Sequence, residues 1–140
     1  MIKKYLANYE KKEFYGLMGQ FFAEPKYKKM MPYLKNKDTY KWFVKIIDNQ
    51  VVAFTAYELM PAKINFAFDF YQDDIADLKE LIELKMVQLK GEKKRIETAT
   101  ADENIYSLLI NIGFVEVKET VNYKFLILDN CGEKNDKKAT

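Results

Sequence analysis

The spacing of hydrophobic and polar residues divides the chain into a helical beginning and a β-rich remainder. Over residues 11–22, apolar side chains recur three and four positions apart, which predicts a helix. Pro25 suits the first turn of a second helix, which is predicted to run to about Leu34. A loop is expected at residues 36–38, and a short strand near residues 2–5.

The middle of the chain predicts three strands and then a long helix. Residues 40–47 and 51–59 are rich in β-branched and aromatic residues, and Asp48-Asn49-Gln50 separates them as a hairpin loop would. A third strand is expected at residues 63–71. The helix should begin near Asp73 or Asp74 and end near Leu89. Its buried stripe is predicted to be Ile75, Leu78, Ile82, Met86 and Leu89, with Lys79, Glu80, Glu83 and Lys85 mostly on the solvent side.

The last third of the chain predicts a strand, a helix and a closing hairpin. The strand is expected at residues 95–101, and the helix at about residues 103–111, capped by Thr100 or Asp102 and ended by Gly113. Residues 114–118 and 122–128 should form the hairpin. We therefore expect a single domain over residues 1–128, with residues 129–140 as a disordered tail because that segment lacks apolar anchors.

Composition narrows the classes of protein to consider. A chain of 140 residues with 49% hydrophobic residues can bury about two-thirds of its surface in one core. No apolar run approaches the ~20 residues needed to span a bilayer, so we expect no membrane segment and a cytoplasmic location. The formal charge of +2 is small and the lysines are scattered, which argues against nucleic-acid binding.

The residue types that are missing exclude several kinds of chemistry. The chain has no histidine, and its one cysteine is Cys131 in the polar tail. Ser-His-Asp and Cys-His catalysis, zinc sites with histidine and a disulfide within the chain are therefore excluded. Arg95 is the only arginine, so bidentate guanidinium clamps are nearly absent. Acid and base work is left to Asp, Glu, Tyr and Lys, and no metal site is expected.

Two short motifs accompany this order of elements. Val51-Val52-Ala53-Phe54 begins the second strand of the predicted hairpin, and Asn111-Ile112-Gly113-Phe114 closes the last helix. Together with the order of elements, these motifs resemble the GNAT superfamily of acetyl-CoA-dependent N-acetyltransferases. The resemblance implies an α/β fold, a twisted mixed sheet with helices on both faces. It also implies acetyl-CoA as the coenzyme and a small amine or a protein amine as the acceptor.

The junction after the third long strand departs from the family pattern. Family members carry an Arg/Gln-x-x-Gly-x-Gly/Ala loop there, whose backbone amides hold the CoA pyrophosphate. This chain reads Gln72-Asp73-Asp74-Ile75-Ala76-Asp77, with no glycine and three aspartates. An aspartate ~4 Å from a phosphate costs about 1 kcal/mol in water and about 4 kcal/mol at an effective dielectric of about 20. The aspartates also suit helix capping, a role that competes with phosphate binding.

The resemblance further implies residues for the reaction. A strand N–H near residues 68–70 would polarise the thioester carbonyl, and a carboxylate would accept the proton of the amine. On strand alternation, Asp69 shares a face with Asn65, Ala67 and Tyr71, opposite Phe66, Phe68 and Phe70. We predict Asp69 as the base, with Glu97 and Glu58 as alternatives. The plainer interpretation of each is a solvated strand carboxylate.

The leaving thiolate needs an acid. The family tyrosine falls at Leu109 in this chain, and Tyr106, one turn earlier, could substitute for it. The plainer interpretation of Tyr106 is a half-buried tyrosine with a solvated hydroxyl. A frequent family asparagine falls at Asp102, with Asn104 close by. The predicted coenzyme-binding residues are Phe68, Phe70, Tyr71, Asp73, Ile75 and Asn104.

A second function remains open, in which the chain is an inactive derivative of the fold that binds a protein or forms a homodimer. The two functions predict different shapes for one region. An enzyme should have a V-shaped cleft, open to solvent, between the strand near Phe70 and the strand at Glu97. A binding module should have that cleft filled by aromatic side chains and expose apolar surface elsewhere.

Overall fold

A computed structural model describes residues 1–129 of the chain, as seven strands and four helices. The order of elements is the predicted one, and the short first strand is present. The strands are β1 (Ile2–Tyr5), β2 (Tyr40–Ile47), β3 (Gln50–Leu59), β4 (Lys63–Tyr71), β5 (Arg95–Thr100), β6 (Val115–Glu119) and β7 (Lys124–Leu128). The helices are α1 (Lys11–Ala23), α2 (Pro25–Met30), α3 (Ile75–Gln88) and α4 (Glu103–Ile112).

The seven strands form one mixed sheet in the order β1-β2-β3-β4-β5-β7-β6. Every neighbouring pair is antiparallel except β4 and β5, which α3 connects as a parallel pair. The β2–β3 turn consists of Asp48 and Asn49, whose φ angles are 51° and 62°. Positive φ at both central residues matches the twist of the flanking strands, and Asp and Asn tolerate it better than most residues.

Helices cover both faces of the sheet, as predicted for the α/β class. One face packs against α3 and α4, with Leu78, Ile82 and Leu109 in its core. The other face packs against α1 and α2 through an aromatic core that includes Phe21 and Trp42. The central strands are therefore buried on both sides, and a site between them is framed by helices on both faces.

Helix α2 is shorter than the sequence pattern predicts. It ends at Met30, whereas the prediction placed its end near Leu34. Pro32 explains the difference, because proline has no N–H to donate and disfavours helical backbone at the residue before it. Residues 31–35 instead form an irregular segment, and Met30 is 61% exposed.

Helix α3 begins where expected, but one of its polar residues is buried. Asp74 is the N-cap, and its carboxylate accepts a hydrogen bond from the backbone N–H of Ala76 at 2.9 Å. The prediction that Lys85 faces solvent is wrong, since its side chain is 0% exposed. Lys85 lies seven residues after buried Leu78, and therefore on the same side of the helix.

Helix α4 is bounded by the two expected residues. Asp102 caps its first turn by accepting from the backbone N–H of Ile105 at 2.9 Å, which decides between the two predicted caps. Gly113 ends the helix with φ of 122°, a conformation that strains residues with a side chain. In residues 1–129, no helix is long and apolar enough to cross a membrane. Most of the predicted tail, residues 130–140, lies outside the described residues.

Candidate active site

A cleft opens where β4 and β5 part from each other. The two strands pair only at residues 63–65 with residues 95–97, although β4 continues to Tyr71 and β5 to Thr100. The cavity between them measures about 910 Å³. Residues 65–72 form one wall, residues 99–102 the other, and residues 30–35 border it on the α1/α2 face. This is the V-shaped opening that the enzyme hypothesis predicts.

A β-bulge shapes the β4 wall of the cleft. Ala56 pairs with Ala67 and Phe54 with Phe70, so two residues of β4 oppose the single Thr55 of β3. Phe68 has φ of 58°, which is rare for a residue with a bulky side chain. Such a bulge breaks ladder pairing locally and re-aims the residues that follow it.

The bulge overturns the predicted alternation of β4. Phe66 belongs to the core under α3, whereas Phe68 and Phe70 belong to the aromatic core under α1 and α2. Asp69 faces α3 with Phe66, and Ala67 lies on the opposite face. The prediction that the three phenylalanines share one face is therefore wrong, because it assumed an uninterrupted strand.

The aromatic residues at the cleft pack into the core and leave the cleft open. The Phe68 ring stacks on Trp42 with centroids 5.7 Å apart, and the Phe70 ring stacks on Phe54 at 5.0 Å. Tyr40 meets Phe68 edge-on at 5.4 Å. Phe68 and Phe70, both predicted coenzyme-binding residues, thus border the cleft while their rings stabilise the α1/α2 core.

Asp69, the predicted base, belongs to a buried polar network. Thr55 donates a hydrogen bond to its carboxylate, and Lys85 Nζ donates to Thr55 and to the carbonyl of Ala56, the latter at 3.1 Å. Lys85 Nζ lies 3.6 Å from Asp69 and 3.7 Å from the centre of the Phe66 ring. Burial lowers the pKa of Lys85 to about 8, against the opposing effect of Asp69.

A second polar group joins the two walls of the cleft at its α4 end. The hydroxyl of Tyr71 donates to the carboxylate of Asp102 at 2.9 Å, and the side-chain amide of Asn104 donates to the same hydroxyl at 3.1 Å. The Asn104 bond lowers the pKa of Tyr71, but partial burial and the bond to Asp102 outweigh it, so the net shift is upward. Tyr71 therefore stays protonated at neutral pH.

The N-terminus of α3, where a phosphate would bind, is acidic. Asp74 already uses the N–H of Ala76, and the N–H of Gln72 donates to the carbonyl of Val52 at 2.8 Å. Asp77 is neutralised by Lys45, 2.7 Å away, whereas Asp73 is exposed to solvent. The cleft thus has room for an extended ligand, but the acidic N-terminus of α3 should bind a phosphate more weakly than a glycine loop would.

The other proposed acid and base residues do not line the large cleft. Glu97 forms ion pairs with Lys63 at 3.0 Å and with Arg95 at 2.7 Å. The bond to Lys63, and to a lesser degree the bond to Arg95, lowers the pKa of Glu97, and a lower pKa makes it a weaker base. Glu58 accepts from the hydroxyl of Thr39 at 2.7 Å.

Tyr106, the predicted acid, lies outside the large cleft that Asp69 and Tyr71 border. Its hydroxyl donates to Glu116 at 2.8 Å, and it borders a smaller cavity of about 150 Å³ next to the β6–β7 turn. Two further acids, Glu103 and Glu119, line that smaller cavity. Four residues line both cavities: Thr100, Ala101, Asp102 and Tyr123.

The structure brings Asp69, Phe68, Phe70 and Tyr71 to one cleft, with Asn104 touching its edge through Tyr71. Ile75 is half-buried in the first turn of α3. Sequence reasoning missed Lys85, although its spacing from Leu78 was a usable signal. It also missed the contact between Tyr71 and Asp102, for which the sequence carries no signal because 31 residues separate them. Within residues 1–129, no three His, Cys, Asp or Glu side chains are arranged to hold a metal ion.

Known proteins resemble this chain in structure rather than in sequence. No protein-family model matches it, and no curated protein does. Among solved structures, ElaA of Escherichia coli matches with a TM-score of 0.67 at 12% identity, covering 91% of this chain and 99% of that one. An acyl-CoA N-acyltransferase from Pseudomonas aeruginosa matches with a TM-score of 0.65 at 12% identity, covering 91% and 97%.

A third similar structure contains the coenzyme. The N-acetyltransferase PseH of Campylobacter jejuni, in complex with acetyl coenzyme A, matches with a TM-score of 0.58 at 11% identity, covering 92% of this chain and 99% of that one. At such identities the likeness establishes the fold. The predicted fold is confirmed: the chain has the mixed α/β architecture of GNAT acyl-CoA N-acyltransferases.

Proposed function

We propose that this protein is an N-acetyltransferase that transfers the acetyl group of acetyl-CoA to an amine. The observation that carries the proposal is the open cleft of about 910 Å³ between the diverging strands β4 and β5, with a bulge at Phe68 and Asp69 on its wall. The GNAT fold supports it, since similar folds belong to acetyltransferases and one of them contains acetyl coenzyme A.

The backbone around the bulge supplies the electrostatic part of the proposed reaction. Acetyl-CoA, once bound, supplies a thioester that the amine converts to an amide with release of the CoA thiol. The bulge removes part of β4 from its ladder, so N–H groups near residues 68–70 can point into the cleft and stabilise negative charge on the carbonyl oxygen. This contribution needs no particular side chain.

Two side chains at the cleft are proposed for proton transfer. Asp69 is the one proposed base that borders the cleft, but its carboxylate is 7% exposed and already accepts from Thr55, so it would act through water. Tyr71 replaces Tyr106 as the proposed acid, because Tyr71 borders the large cleft and Tyr106 does not. Its raised pKa keeps a proton available for the leaving sulfur.

Isothermal titration calorimetry with acetyl-CoA and with CoA tests the proposal. Ala101 is exposed on the β5 side of the cleft, so Ala101→Trp should fill the opening without disturbing the core. Ala62 is exposed in the β3–β4 turn, outside the cleft, and Ala62→Trp is the matched control. We expect micromolar binding to the wild type and to Ala62→Trp, and loss of binding in Ala101→Trp. Equal binding by both variants would contradict the proposed site.

An inactive binding module is the second candidate, and the acidic N-terminus of α3 favours it. Asp74 occupies the N–H of Ala76, and Asp73 adds an exposed negative charge where phosphate would lie. If millimolar acetyl-CoA gives neither heat nor a shift in melting temperature, the transferase proposal fails and this candidate replaces it. Micromolar binding would remove the reason for preferring it.

The remaining features of the proposal follow from the same function. The acceptor would be a small amine or an amine on a protein, and the reaction would take place in the cytoplasm. Homodimerisation stays a prediction, which light scattering of the purified protein over a range of concentrations would check. A mass twice the 16.6 kDa of the chain would support it.

A further inference from the structure

The two ends of the cleft lie on opposite faces of the sheet, and their surroundings differ. The α3 N-terminus and the Tyr71–Asp102 contact lie at the α3/α4 side, where the proposed coenzyme would place its phosphates. An acceptor would then have to reach the bulge from the opposite, α1/α2 side. Residues 30–35, from the last residue of α2 onward, border the cleft there.

The surface on this side is apolar and aromatic. Apart from one cation and the amide of Asn65 on β4, its side chains are hydrocarbon, thioether or phenol groups. The principal contributors are Met30, Met31, Tyr33, Leu34, Tyr40 and the cation, Lys35. Tyr40 is buried against Trp42 and Phe68, which makes it a rigid aromatic wall.

The carboxylates of the large cleft are already engaged. Its two acids are Asp69, which accepts from Thr55 and lies 3.6 Å from Lys85, and Asp102, which accepts from Tyr71 and from the N–H of Ile105. A polyamine would bring several ammonium groups, each of which loses water on binding and needs an anionic partner. The α1/α2 side offers Lys35 instead, which repels them.

On the basis of the proposed transferase function, we propose that the acceptor is a monoamine carried on an aromatic or aliphatic body, and that polycationic amines are disfavoured. The body packs against Tyr33, Tyr40 and the methionines, and the amine reaches the bulge between β4 and β5. Burying an aromatic body of the size of a phenylalanine side chain is enough to favour such an amine about tenfold or more.

Binding can be measured without turnover, by NMR titration of the 15N-labelled protein with 2-phenylethylamine and with spermidine. Met30 and Tyr33 are 61% and 70% exposed, so Met30→Glu and Tyr33→Glu should leave the fold intact. Val87 is 71% exposed on α3, outside both cavities, and Val87→Glu is the control for adding an acid. Lys35→Glu reverses the one charge of the surface.

We expect 2-phenylethylamine to shift the amide signals of residues 30–35 and 67–70, and to bind about tenfold more tightly than spermidine. Met30→Glu and Tyr33→Glu should each weaken this binding, while Val87→Glu should not. Lys35→Glu should strengthen spermidine binding at the same signals. Tighter spermidine binding by the wild type would overturn the inference. So would amine shifts confined to residues 119–122, which would place the acceptor in the smaller, acidic cavity.

Acetyl-CoA binding, measured separately by calorimetry, keeps the two proposals apart. If acetyl-CoA binds and the aromatic amine is acetylated at a higher kcat/KM than spermidine, both proposals stand. If acetyl-CoA binds and spermidine is the better substrate, only the acceptor inference fails. If acetyl-CoA does not bind, the transferase function fails, whatever the NMR titration shows, and the acceptor inference falls with it.

Discussion

The buried ion pair of Lys85 and Asp69 allows the loss of unfolding free energy in a Lys85→Met variant to be predicted from the structure. Lys85 is fully buried, with its Nζ 3.6 Å from Asp69 and bonded to Thr55 and to the carbonyl of Ala56. In Lys85→Met the apolar stem keeps its place, but Asp69 becomes a carboxylate at 7% exposure with no cation beside it. Removing one partner of a buried pair costs about 3–5 kcal/mol.

The partner substitution separates the ion pair from simple packing. In Lys85→Met/Asp69→Asn the buried charge is gone, and an asparagine at 69 can still accept the hydrogen bond of Thr55. We therefore expect the double variant to recover more than half of the loss, as charge-free replacements of buried pairs commonly do. Lys79 is exposed on the same helix, so Lys79→Met should stay within about 0.5 kcal/mol of the wild type.

Urea unfolding at pH 7, followed by circular dichroism, measures all four proteins. A Lys85→Met variant within 1 kcal/mol of the wild type, with an unchanged urea dependence, would show that Lys85 is not a buried partner of Asp69. A double variant as unstable as the single one would show that the loss comes from packing or from the bond to the Ala56 carbonyl. Either result would refute the electrostatic argument for this network.

Three further predictions concern pH, coenzyme affinity and the backbone. Because burial holds the pKa of Lys85 near 8 instead of 10.5, the unfolded chain binds more protons between these values. Urea titrations should therefore show the wild type gaining about 2 kcal/mol of unfolding free energy over Lys85→Met between pH 7.5 and 9.5. A difference that stays constant with pH would contradict the lowered pKa. Asp73→Asn should tighten acetyl-CoA binding about fivefold in calorimetry, with Asp48→Asn as the unaffected control; no gain would mean that the phosphates lie elsewhere. Gly113→Ala should cost about 1–2 kcal/mol of unfolding free energy because φ is 122°, whereas Gly16→Ala inside α1 should stabilise slightly; equal effects would remove the backbone argument.

The order of helices and strands was predictable because each element carries its own local pattern. The alternation in β2 and β3, the cap at Asp74 and the end at Gly113 are all visible in short windows of sequence. The errors arose where one residue interrupts a regular pattern. Pro32 ends α2 early, and the apolar residues that follow it lie beside the cleft instead of in a helix.

The candidate site was less predictable because it depends on pairing between distant segments. The bulge opposite Thr55 decides whether Asp69 faces α1 or α3. No glycine in β4 indicates that bulge in the sequence. The bond from Tyr71 to Asp102 likewise requires knowing how far β5 diverges from β4. Lys85 could have been found, since a helical wheel places it with Leu78 and Ile82.

The two halves of the proposed coenzyme site depend on different properties of the chain. This explains why one half favours coenzyme binding and the other opposes it. The carbonyl end needs a parted pair of strands, which this chain has, and backbone N–H groups that face the cleft, which the proposed function assigns to residues 68–70. The phosphate end needs close backbone approach without negative side chains, a requirement that Asp73 and Asp74 do not meet. In the proposed complex, binding energy for the coenzyme would therefore come mainly from its thioester and pantetheine portions. The α3 N-terminus is therefore the place where the transferase and the binding module are distinguished.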